Sequence, residues 1–345
     1  MNYWLVTGWY KVVICLALTF VMSENAQSSQ KITHVKAGAA VVYDRSSKFD
    51  HSFNQAVFEN GVVKLRALGY TIKEVEPASS IQSELGVMKL ARRGYNPIIG
   101  IGYAVSPAIK RAAIAFPLVS FVIIDSVVDL PNVQSITFNE DQGAYLAGVL
   151  AALKSKTQHI GFIGGMDIPL ITKFSCGYLL GAQSVNPQIK LTRHYIGSTF
   201  NAWNDPSKGI ELARHQFEQG ADVIFAAAGG SGLGVYQAAN DHGFYAIAVD
   251  SNQNHLYPGA VLSSMVKLVG RTVLRAVVDF NHKTWRSGHI EYGLENDWVD
   301  LVRDQYNESS FDAPFFHTVT QRKKQLLTDV HAMEQMLARC SKEMN

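Results

Sequence analysis

Three aspartates, Asp44, Asp125 and Asp250, each stand directly after an apolar run that reads as a β-strand. Open α/β sheets bind ligands beyond the carboxyl ends of their strands, so three carboxylates at that position can face one cleft. A carboxylate accepts two hydrogen bonds from a vicinal diol, which suits it to hold sugar hydroxyls without any reaction. Taken singly, each aspartate also reads as a cap for the helix after its strand. The loop from Asp44 to Asn54 adds an aromatic and an amide, and Asp44, Phe53 and Asn54 are read as one wall of a small-molecule cleft. As an ordinary βα loop, the same stretch would use Ser52 or Asn54 to cap the next helix.

Phe53, Phe200 and Trp203 lie in polar loops and not on apolar stripes. Such rings hold flat ligands by offset stacking, worth about 0.5–1.5 kcal/mol beyond the area buried, or else serve as lids on the local core. Lys267 ends the run Ser263–Lys267, where its ammonium can donate to a hydroxyl or pair with Asp250. The run Gly229-Gly-Ser-Gly-Leu-Gly234 lacks the Lys-Ser/Thr of a phosphate loop and misses the dinucleotide spacing. Its glycines, Gly230 among them, serve either close approach of backbone to a ligand or a tight βα turn. The eleven histidines are scattered, and neither a metal-ligand spacing nor a Gly-x-Ser-x-Gly elbow is present. No catalytic residue, metal or cofactor is therefore assigned.

The elements that must position these residues alternate. After the strand-like run Ala37–Tyr43, the patterns predict helices over Gln55–Leu68, Ser80–Arg93 and Pro107–Ala115, with strands Thr71–Val75, Pro97–Gly102 and Val119–Asp125 between and after them. Helix Gly143–Leu153 closes this first series. A second begins at His159–Gly164 and runs through helices Lys173–Ala182, Ser207–Gln219 and Val235–Asp241, with strands Ile189–Ile196, Asp222–Ala228 and Tyr245–Asp250. Strand Val261–Lys267, helix Gly270–Phe280, a strand-like Gly293–Val302 and a terminal helix Phe316–Cys340 complete the chain. Alternation of this kind implies parallel sheets covered by helices. Two series of similar size imply two similar lobes: residues 33–155 with 268–290, and residues 156–267 with 291–345. Several crossings between lobes make a hinge, and the interface is the natural ligand site.

At 345 residues, 47% hydrophobic, 17% charged and a net charge of +2, the chain is ordinary globular material with no basic tract for nucleic acid. Its N-terminus differs: a basic residue, Lys11, precedes the apolar run Val12–Met22 and the polar run Ser23–Lys31. Residues 1–26 read as an export signal, or as an N-terminal anchor if uncleaved. Cleavage would leave Cys176 and Cys340, either bridged in an oxidising compartment or free and buried.

The ordered segments Asp50-His-Ser-Phe-Asn-Gln55, Phe121-Val-Ile-Ile-Asp125, Gly143-Ala-Tyr-Leu-Ala-Gly148 and Ile160-Gly-Phe-Ile-Gly-Gly165 are similar to those of the basic membrane protein family. Phe174-Ser-Cys-Gly-Tyr-Leu-Leu-Gly181, Ala221-Asp-Val-Ile-Phe225, Val249-Asp-Ser-Asn-Gln253 and Leu262-Ser-Ser-Met-Val-Lys267 continue the resemblance, which spans about residues 33–302. Members are purine nucleoside receptor-like substrate-binding proteins of ABC importers. The resemblance implies an α/β, type I periplasmic-binding-protein fold whose two doubly wound lobes close on a nucleoside, most simply a purine one. It implies stacking by Phe53, contacts to the base edge by Asp44 and Asn54, a ribose held by Asp125, Asp250 and Lys267, and Gly230 in the segment lining the site. The second stacking ring is Trp203 when the match is anchored on Asp205-Pro206, and Phe200 when it is anchored on Gly197-Ser198. The stretch Thr199–Asn204 is longer than the family's short form, and Asn252 replaces its usual acidic residue. The implied partner is an ABC permease of the cytoplasmic membrane, served by an exported, membrane-associated monomer. A sensor of the same fold and a nucleoside-processing enzyme are the alternatives; the enzyme would need an acid cluster for a metal or a poised general base.

Overall fold

The computed structural model describes residues 38–45, 47–311, 313–328, 335–337, 340 and 342. The expected export signal or anchor lies outside them. No helix among the described residues is long and apolar enough to cross a membrane.

The first sheet uses strands β1 Ala39–Val42, β2 Ile72–Val75, β3 Ile98–Gly100, β4 Phe121–Ile124 and β5 Val133–Phe138. The second uses β6 His159–Gly164, β7 Lys190–Tyr195, β8 Val223–Ala227, β9 Tyr245–Asp250 and β10 Val261–Lys267. Strand β11, Gly288–Tyr292, then returns to the first sheet, and β12, Val299–Leu301, to the second. The orders are β11-β5-β4-β3-β1-β2 and β12-β10-β9-β8-β6-β7. Advancing each of β1 to β5 by five strands reproduces the second sheet. The strands pair in parallel except at the β10–β12 edge. Strands β1, β4 and β8 are buried throughout, as expected for parallel strands covered on both faces.

The first sheet carries helices α1 Phe53–Val57, α2 Ser80–Arg92 and α3 Ser106–Ala115. Helix α1 continues through a π-helical turn, Phe58–Val63, to Lys64–Ala67. Then come α4 Glu140–Lys154, α5 Pro169–Gln183, α6 Pro206–Glu218, α7 Gly232–His242, α8 Val269–Asn281 and α9 Ala313–Thr328. Helix α4, expected to close the first series, packs on the second sheet and on α5. There a Cβ at Gly148 would overlap the Tyr178 carbonyl, so the two backbones touch. The chain thus crosses to the second lobe at Asn139, immediately after β5, a strand absent from the expected series.

It crosses back between Lys267 and Val269, and out again between Tyr292 and Val299. Hydrogen bonds stitch the crossings together: the Asn139 N–H donates to the Tyr292 carbonyl at 2.8 Å and the Leu268 N–H to the Trp298 carbonyl at 2.9 Å. Cys176 on α5 is bridged to Cys340 with Cα atoms 5.8 Å apart, which decides between the two states left open for these cysteines.

Candidate functional site

The carboxyl ends of both sheets meet around a pocket of about 570 Å³, part of it open to solvent. Asp44, Phe53, Asp125, Trp203, Asp250 and Lys267 all line it. The two outer aspartates occupy equivalent places, after β4 and at the end of β9, and both adopt the left-handed conformation, with φ of 61° at Asp125 and 67° at Asp250. Aspartate tolerates this region better than most side chains, and it turns the carboxylate off the strand end. Between them stands Lys267, whose Nζ lies 2.8 Å from Asp125 Oδ2 and 3.0 Å from Glu140 Oε1. Asp250 takes its partner from the opposite lobe, accepting a 2.7 Å hydrogen bond from the Ser52 hydroxyl.

All four charged side chains are nearly inaccessible. Burial pushes Glu140 and Asp250 upward against the pull of Lys267. Burial also opposes the charge on Lys267, but Asp125, Glu140 and Asp250 outweigh it and hold the lysine above its ordinary value. The lysine is therefore an ammonium throughout the physiological range. Asp125 Oδ1 and Glu140 Oε2 are buried without a hydrogen-bond partner among the described residues. A ligand hydroxyl reaching Asp125 would satisfy the first.

The aromatic walls come from different lobes. Phe53 starts α1 and lies with its ring 5.3 Å from Lys267 Nζ. Trp203 ends a short 3₁₀ turn, Phe200–Trp203, and seats its ring against Gly165, where any Cβ would collide with it. On the Asp44 side Gly102, with φ of 83°, leaves room for Asp44 and Phe53.

Three expected residues stand outside the pocket wall. Asn54 is fully buried behind it, donating from Nδ2 to Asp44 Oδ1 at 2.8 Å and to the Ser47 carbonyl at 3.2 Å. Gly230 is buried beside Gly229, and it is Gly229 that lines the pocket. Phe200 sits at the rim, stacked on Tyr103 at 5.7 Å. Conversely, Asp50 and Tyr103 line the pocket without having been singled out, and Glu140 stands directly behind it. Asp50 accepts backbone N–H bonds from Ser52, Asn54 and Gln55, yet burial pushes it up to about 7. Sequence offered one signal for Tyr103: it follows Gly102 after β3, as Gly230 follows Gly229 after β8.

Two α/β lobes with a mixed aromatic and carboxylate pocket at their facing strand ends define the type I periplasmic-binding-protein fold. A solute-binding protein of an ABC transporter system from Aeropyrum pernix K1 shares the fold, with a TM-score of 0.73 at 21% identity over 89% of this chain and 91% of that one. The family model for PnrA-like ABC transporter substrate-binding proteins matches residues 37–332, and the chain belongs to that family. It is 36% identical over 319 residues to the ABC transporter nucleoside-binding protein BmpA of Lactococcus lactis subsp. cremoris (strain MG1363), covering 84% of this chain and 88% of the relative. It is 35% identical over 266 residues to basic membrane protein A of Borreliella burgdorferi (strain ATCC 35210 / DSM 4680 / CIP 102532 / B31), covering 74% and 76%. The resemblance drawn from the sequence motifs therefore holds.

Proposed function

We propose that this chain binds a nucleoside, most simply a purine nucleoside, between its lobes and delivers it to an ABC permease. The observation that carries this reading is the composition of one pocket: rings from opposite lobes, Phe53 and Trp203, beside two carboxylates at equivalent strand ends and one buried cation. Flat faces and a vicinal diol are the two chemistries that set can hold, and a nucleoside offers both. Phe53 and Trp203 stack on the base. Asp44, held by Asn54, meets its polar edge. Asp125, Asp250 and Lys267 hold the ribose hydroxyls, and the Gly229–Gly230 backbone closes the wall. The Cys176–Cys340 bridge supports an oxidising, extracytoplasmic setting. The chain acts as a monomer that carries its ligand unchanged.

Titration calorimetry against adenosine, guanosine, inosine, cytidine, uridine and the free bases tests the reading. Nucleosides bind and free bases do not, and Asp125→Ala weakens nucleoside binding at least tenfold, the loss of about one charged hydrogen bond. Equal affinity of wild type and Asp125→Ala for nucleosides would overturn the ribose assignment, and silence of the folded wild type toward all of them would overturn the nucleoside.

A further inference from the structure

Phe200 is at the pocket rim for a reason that ligand stacking does not supply. The Arg45 guanidinium lies 3.5 Å over the centroid of its ring. Tyr103 stacks on the same ring at 5.7 Å with the planes inclined by 27°, and its hydroxyl reaches Met166 Sδ at 3.5 Å. Arg45 follows β1 and Tyr103 follows β3, both in the first lobe. Phe200 and Met166 belong to the second. These contacts therefore join the lobes on the mouth side of the pocket, at the opposite edge from the three backbone crossings.

We propose that Phe200 is a positioning residue: with Arg45 and Tyr103 it forms a clasp that holds the mouth shut over the ligand and keeps Trp203 in place. Phe200 and Trp203 are the two ends of one 3₁₀ turn. Fixing the first ring against Arg45 and Tyr103 thus orients the second against the pocket, and one turn couples closure to stacking. A guanidinium on an aromatic face, largely shielded from water, is worth roughly a fivefold change in an equilibrium.

The test uses the full chain and three variants: Arg45→Met, which keeps the stem and removes the guanidinium; Phe200→Leu, which removes the ring; and Phe200→Tyr, which keeps it. The first arm needs no ligand. Hydrogen exchange read by mass spectrometry shows residues 199–204 exchanging roughly fivefold faster in Arg45→Met, although that substitution is in the other lobe. The second arm rests on the nucleoside reading. Stopped-flow tryptophan fluorescence with inosine or adenosine shows dissociation roughly fivefold faster in Arg45→Met and Phe200→Leu, and wild-type dissociation in Phe200→Tyr. Unchanged exchange at 199–204 in Arg45→Met overturns the clasp, as does an unchanged dissociation rate in both disabling variants. A wild type that binds no nucleoside, with exchange still accelerated in Arg45→Met, sinks the nucleoside reading and leaves the clasp standing.

Discussion

Lys267→Met removes the only positive charge from the buried cluster at the pocket floor, and its cost follows from the geometry. The lysine Nζ is 2.8 Å from Asp125 and 3.0 Å from Glu140, whose side chains are 6% and 1% exposed. Taking one partner from a buried pair leaves an uncompensated charge, at about 3–5 kcal/mol. With an unfolding entropy of roughly 0.6 kcal/mol per kelvin for a chain of this size, the midpoint falls by roughly 5–8 °C. The stranded carboxylates can escape by taking up protons, since burial and mutual repulsion both favour the neutral form. The loss is therefore larger at pH 8 than at pH 5. Adding Glu140→Gln to Lys267→Met removes one stranded charge and returns about 2–4 °C at pH 8, a coupling that independent sites would not show. Calorimetric melts of ligand-free protein at both pH values provide the measurement. A fall below about 2 °C at pH 8, or the same fall at both pH values, would refute the reasoning.

Two further outcomes concern stability. Burial raises Asp50 to about 7, above its unfolded value of 3.8, so its contribution is present below about 4 and lost as pH rises through about 7. Asp50→Asn should flatten the thermal midpoint against pH across that window; a slope equal to the wild type's would show that other groups set it. The Cys176–Cys340 bridge closes a loop across 164 residues. On chain-entropy grounds this is worth up to about 5 kcal/mol, so Cys340→Ser lowers the midpoint by up to roughly 8 °C, and an unmoved midpoint would mean that the unfolded chain gains nothing from the bridge's removal.

The strand-end rule made Asp44, Asp125 and Asp250 legible, because a carboxylate after an apolar run has one place to go in a parallel sheet. All three reach the pocket. Asn54 was harder: its amide could face ligand or protein, and the choice depends on where Asp44 and the Ser47 carbonyl end up. Phe200 and Trp203 were indistinguishable by type and lie three residues apart, so only the 3₁₀ turn separates the pocket ring from the rim ring. Glu140 lies three residues before the helix expected from Gly143, and only the structure makes it an acid in the first turn of α4. That it is 1% exposed follows from Lys267, more than a hundred residues away. Strand β5 escaped notice because the adjacent polar residues Gln134 and Ser135 break the apolar run of Val133–Phe138, although both are buried.

The placement of the charged cluster links binding to hinge motion. Glu140 comes immediately after the first crossing residue, Asn139, and Lys267 immediately before the second, Leu268. Asp125 belongs to the first lobe and Lys267 to the second, so their pair spans the hinge, as does the Ser52–Asp250 hydrogen bond. Opening the lobes enough to part these groups would take a hydroxyl partner from Asp250 and separate a lysine from a carboxylate at the moment water enters. A ligand whose hydroxyls bridge Asp125 and Asp250 meets both only when the lobes are together. Its affinity for the closed arrangement then exceeds that for any open one, which is the condition for a ligand to shift such an equilibrium. The crossings act as the fixed edge and the Phe200 clasp as the free one, and Asp125 and Asp250 sit between them, so a rotation that parts the clasp also moves these two carboxylates apart, by less than it opens the mouth.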